Sequence, residues 1–268
     1  MPKPLRIAGD LLARPVRDVI QALDLTIAAR THPLARLALF IIAALATWLA
    51  YVPVHELLHV AGCRLTGGEV RQVTIAPLYG GRWISQWIPL VAAGGDYAGR
   101  VTEFSTGRSD LCYLVTDAAP YLLSIAGVPL LRAAVRRRRT ALAGAATVLA
   151  LAPFISLTGD YYEMGSVLAT RAWAPLQAPP NPYEATAGVM ALRSDDLIAL
   201  IGRLIDSPEI LLRGTPGGMP AIVATLIIAA LTGLGLALLT YAAGHALAGR
   251  LGLPLEAPLE GAGSSRSG

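Results

Sequence analysis

Of the 268 residues, 54% are hydrophobic and only 15% are charged, which excludes an ordinary soluble globular domain and points to an integral membrane protein. The net charge of +4 does not read as a nucleic-acid surface, because the basic residues stand beside apolar runs instead of clustering on a polar face. Two cysteines, Cys63 and Cys112, exclude a disulfide framework and leave room for one pair.

In chain order, residues 8 to 30 carry Val16, Val19, Ile20, Leu23 and Ile27 at helical spacing, with Arg14, Arg17, Asp18 and Asp24 on other faces. This pattern predicts an amphipathic helix within residues 1–33 that lies on a membrane surface. The same charges break up any apolar core of a cleavable signal peptide, so the first span is expected to do the targeting. That span runs from about residue 34 to 61 and contains His55-Glu56-Leu57-Leu58-His59. On a helix the two histidines share one face and offer two imidazoles to one metal ion, with Glu56 beside the open position, which is the HExxH zinc signature. A carboxylate at the edge of a hydrocarbon layer is costly, so Glu56 reads as functional.

Between residues 66 and 110 the glycine pairs Gly67-Gly68, Gly80-Gly81 and Gly94-Gly95 separate two β-branched and aromatic runs, Val70 to Ile75 and Trp83 to Val91. Short strands in one or two hairpins are predicted, with Trp83 and Trp87 at the level of lipid headgroups; Asp96 to Asp110 reads equally as a solvated loop. A second span, about 111–131, contains Asp117 and Pro120, and a third covers about 141–158. Arg132 and Arg136 to Arg139 lie between them without an acid, which places that link in the cytoplasm. Next come a Pro-rich connection, Ala174 to Pro182, and a helix capped by Ser194 whose apolar face is Leu197, Ile198, Ile201, Leu204 and Ile205. These make residues 166–218 an extramembrane helical segment. A fourth span covers 219–250, with Gly233 and Gly235 free for close helix contact and His245 as an interfacial residue. Residues 251–268 read as a disordered tail. The expected fold is an α-helical integral membrane protein: about four transmembrane helices, a short β-hairpin segment after the first, and an amphipathic N-terminal helix.

A catalytic zinc site needs a third protein ligand and an open position for water. Spans one and three run in the same direction, with His55 about 21 residues into the first and Asp160 about 20 into the third, so both reach the same depth at about 1.5 Å per residue. Asp160 is therefore the preferred ligand. Glu163, one turn on, is an alternative, and Asp117 is either a further alternative or an acid that orients a histidine.

His55-Glu56-Leu57-Leu58-His59, followed by Ala61, Gly67, Val70, Ile75, Pro77 and Gly80-Gly81, resembles the opening of the site-2 protease family of intramembrane zinc metalloproteases, including its smaller bacterial relatives. Ala119-Pro120 is similar to that family's proline motif, and Leu157-Thr158-Gly159-Asp160 occupies the place of its aspartate motif. The resemblance covers about residues 34 to 165. It implies zinc (Zn2+) held by His55, His59 and Asp160, Glu56 as catalytic acid and base, and strands after Gly67 that help hold the substrate. It also implies a multi-pass protein of the bacterial inner membrane that acts on a membrane protein or peptide substrate. Glycine precedes Asp160 instead of following it, and the family's asparagine after the proline motif is replaced within Tyr121-Leu122-Leu123-Ser124. The arginine block places the site on the extracytoplasmic face, whereas many family members carry it toward the cytoplasm. The competing expectation is a catalytically silent zinc-binding membrane protein that acts as a regulatory partner, in which Glu56 would be dispensable.

Overall fold

The computed structural model describes residues 3–27, 32–107, 109–173, 192–193, 197–215 and 217–253. Among the described residues, four helices are long and apolar enough to cross a membrane: Pro33–Leu65, Asp110–Arg136, Thr140–Ala172 and Gly218–Arg250. The first, α2, begins on Pro33, a residue suited to a first helical position because it has no N–H to leave unpaired. It ends at Thr66, whose hydroxyl donates to the carbonyls of Gly62 and Cys63, and Gly67 then takes a left-handed φ of 86° to turn the chain.

The chain next builds a three-stranded sheet. Strands β1 (Glu69–Ile75), β2 (Val91–Ala93) and β3 (Gly99–Ser105) lie in the order β2-β1-β3. β1 runs parallel to β2 and antiparallel to β3, with Thr74 opposite Arg100 and Ile75 opposite Gly99. This corrects the hairpin expectation in two places. Trp83 to Val91 is mostly not strand: a 3-10 turn (Pro77–Tyr79) and a short helix α3 (Gly81–Ile84) carry the chain across to β2. The cause is local, since Gly80 takes φ 82° and Gly81 packs directly against the Ile75 carbonyl, where no side chain fits. The supposed loop after Asp96 contains β3. Trp83 and Trp87 are both exposed, with ring centroids 6.5 Å apart.

Helix α4 (Asp110–Ala118) is capped by Ser109, whose hydroxyl accepts from the Cys112 amide. A 3-10 turn at Ala119–Tyr121 leads into α5 (Leu122–Arg136). Helix α6 (Thr140–Ile155) breaks at Ser156 to Gly159, and α7 (Asp160–Trp173) starts on Asp160. The third apolar helix therefore continues well past residue 158. α8 (Leu197–Asp206) and α9 (Pro208–Gly214) precede α10 (Gly218–Arg250). α7 packs along α10 because Gly165 lies on the Ala229 carbonyl and Gly233 on the Tyr161 carbonyl, a backbone approach that only small residues permit. Gly235, also expected at a contact, faces open space. The Pro-rich connection, the Ser194 cap and residues 254–268 of the tail lie outside the described residues.

Helix α1 (Lys3–Ile27) is docked on the bundle. Tyr241 donates to Asp18 at 2.8 Å, and His245 Nε2 lies 3.0 Å from the same carboxylate oxygen while Arg132 donates to its Nδ1. His245 is thus buried and paired with Asp18 and Arg132. Leu12, Val16 and Ile20 form an outward apolar stripe on α1. Arg132 and Arg136 also donate to the carbonyls of Leu253 and Gly252, which fixes the first residues of the expected tail.

Candidate metal centre

His55 and His59 stand one turn apart near the end of α2, and Asp160 opens α7 at the same level. The break before α7 has a clear local origin. The Gly159 amide donates to the Ser156 carbonyl at 3.2 Å and the Glu163 amide to the Gly159 carbonyl at 2.9 Å, so the chain turns once and presents Asp160 from the first position of a new helix. That turn accommodates the glycine on the unexpected side of the aspartate.

The three side chains converge. His55 Nε2 lies 3.0 Å from His59 Nε2 and 3.1 Å from Asp160 Oδ2, and His59 Nε2 lies 3.4 Å from the same oxygen. A tetrahedral centre with arms of about 2.0–2.1 Å has edges of about 3.3 Å, so the observed triangle matches one face of such a centre. The outer nitrogens are occupied elsewhere. The His59 Nδ1–H donates to the Thr116 carbonyl at 2.8 Å, since a carbonyl can only accept, and this turns the Nε2 lone pair inward. His55 Nδ1 and the Tyr51 hydroxyl share a hydrogen bond of 2.8 Å. Tyr121 donates to Asp160 Oδ2 at 2.6 Å. An inward-facing His59 lone pair beside the His55 Nε2 and a carboxylate, with an outer partner on each ring, is what a metal site requires. This cluster of His55, His59 and Asp160 could hold a metal ion.

Among the described residues, the grouping of metal-binding side chains consists of these three alone, so neither Glu163 nor Asp117 joins them. Glu163 instead accepts from Tyr113 at 2.8 Å, one turn beyond Asp160. Asp117 is buried with Oδ2 unpartnered, and the histidine-orienting role considered for it falls to the carbonyl of its neighbour Thr116.

Comparison with protein-family models, curated proteins and solved structures finds no match to this chain. What the centre can do follows from its own donors and surroundings.

Glu56 is 7% exposed and lies against the start of β3, where a side chain on Gly99 would come within 2.8 Å of its Oε1. A cavity of about 200 Å³ opens beside it, lined by Trp48 and Val52 on one side, Ala152 and Ser156 on another, and Ala98 and Gly99 of the sheet. At about 30 Å³ per water this holds about six waters, or one peptide unit. Four participants escaped the sequence reading: Tyr51, Tyr121, the Thr116 carbonyl and Gly99. Tyr51 had a usable signal, since it precedes His55 by one helical turn. Tyr121 and Gly99 had none, because their partners lie far away in the chain.

Proposed function

We propose that the chain is an integral membrane zinc metalloendopeptidase that hydrolyses peptide bonds of membrane-embedded or juxtamembrane proteins, as its resemblance to the site-2 protease family implies. The observation that carries the reading is the convergence of His55, His59 and Asp160 beside a buried glutamate and a small cavity. An apolar exterior supports membrane residence: Ile42, Leu45, Ile227, Leu231 and Leu239 all face outward, a surface that water would penalise.

His55, His59 and Asp160 would hold the zinc ion, which when bound would supply Lewis-acid chemistry. Thr116, Tyr51 and Tyr121 hold the imidazoles and the carboxylate in register. Glu56 takes the proton of the attacking water and passes it to the leaving amine nitrogen. β3 is an edge strand, and its first residue touches Glu56. An extended substrate that pairs with β3 therefore brings its backbone to the carboxylate, whereas a helix keeps its peptide groups bonded to one another.

Two expected outcomes test this. Cleavage of a detergent-solubilised single-span reporter carrying a Gly-Pro break in its helix stops when a chelator strips the protein and returns when zinc is restored; cleavage that survives stripping contradicts the reading. Gly99→Ala pushes the Glu56 carboxylate out of place, so reporter cleavage falls about a hundredfold with unchanged metal content. Undiminished cleavage in that variant would separate Gly99 from the positioning of Glu56.

A further inference from the structure

We infer that Cys63 and Cys112 are a redox-active pair that closes to a disulfide and braces the two helices holding His59. Cys63 lies in the last turn of α2 and Cys112 in the first turn of α4, 0% and 1% exposed. Both sulfurs abut one point. A Cβ added at Gly68 would lie 2.5 Å from Cys63 Sγ and 2.8 Å from Cys112 Sγ, so the glycine leaves the space that the two sulfurs share. The Cys112 thiol lies 3.7 Å from the Cys63 carbonyl, and Cys112 Sγ lies 3.1 Å from the Thr66 hydroxyl oxygen. Buried cysteines often act as plain small hydrophobes. Here two of them meet across separate elements, beneath a turn whose Thr66 and Gly67 are exposed.

Their position relative to the metal centre gives the pair its consequence. Cys63 is one turn beyond His59 on α2, and Cys112 is one turn before Thr116 on α4, with the Thr116 hydroxyl donating to the Cys112 carbonyl at 2.7 Å. The His59 to Thr116 hydrogen bond and the sulfur contact therefore join the same two helices at successive levels. A disulfide would also join positions 49 apart in sequence and close a loop that contains the whole sheet. The arginine block, Arg136 to Arg139, lies at the opposite end of the second apolar helix, which puts the thiols on the side where disulfides persist.

The oxidant class is a disulfide. One cysteine thiolate attacks a sulfur of the oxidant and releases one thiolate; the other cysteine thiolate then attacks the mixed disulfide and releases the second. The two cysteine protons pass to the two released thiolates, so the chain loses two hydrogens and the oxidant gains them.

The test equilibrates the full-length protein in detergent with oxidised glutathione, quenches it in acid, and maps its peptides. The expected product is a monomer two hydrogen masses lighter with Cys63 joined to Cys112, absent from Cys63→Ala and Cys112→Ala. Thiols that stay free, or that form only glutathione adducts or intermolecular links, overturn the pairing. A second measurement rests on the metal-centre reading: zinc loss to a chelator is about tenfold slower from the oxidised protein than from the reduced one. Equal rates overturn the bracing role. Failure to bind zinc would strike the proposed function and that role, while the peptide map would still decide the pairing.

Discussion

Asp160→Ala is expected to lower metal affinity by more than about a hundredfold. The substitution removes the one carboxylate of the cluster that could hold the ion, whose Oδ2 lies 3.1 Å and 3.4 Å from the two imidazoles. Tyr121 is then left with no acceptor for its 2.6 Å hydrogen bond. Two neutral imidazoles alone hold a divalent ion poorly, since charge neutralisation and three-point geometry are lost together. Asp117→Ala and Glu163→Ala are expected to keep the metal, because neither side chain belongs to the converging set. Competition against a chromogenic chelator measures all three. Retention of wild-type affinity in Asp160→Ala, or its loss in Glu163→Ala, would move the third ligand one turn along α7.

Glu56→Gln is expected to leave metal affinity near that of wild type and to lower peptide hydrolysis by about a hundredfold to ten-thousandfold. Glutamine has nearly the shape of glutamate, so it fits the narrow space against Gly99. It cannot accept and return a proton in the same way. The ratio of the two effects separates an enzyme from a silent metal-binding protein. Metal retained with hydrolysis lost is the signature of an acid-base group, whereas unchanged hydrolysis in Glu56→Gln would remove Glu56 from the chemistry.

The parts of this arrangement that can be read in the sequence are those set by local periodicity or by length. His55 and His59 are visible because four residues make one helical turn. Asp160 is reachable by counting depth along two parallel spans. β1 is legible in the β-branched run Val70 to Ile75. The remainder depends on backbone contacts that composition does not show, or on contacts between distant residues. Trp83 to Val91 has strand composition but bends into helical turns because Gly81 packs on the Ile75 carbonyl. The amphipathic pattern of α1 does not reveal its docking, which rests on Ala22, Leu23 and Leu25 packed in the core and on the bond from Tyr241 to Asp18 across 223 residues. Asp117 looks suited to orient a histidine, yet a main-chain carbonyl, which no side-chain pattern can reveal, performs that task.

X-ray absorption at the zinc edge of the purified, zinc-loaded protein tests a metal centre of two imidazoles and one carboxylate. The expected first coordination sphere is nitrogen and oxygen at about 2.0 Å, with imidazole scattering from two histidines. One imidazole contribution is expected to be lost in His59→Ala. Sulfur scattering at about 2.3 Å, or a spectrum unchanged in His59→Ala, would contradict it.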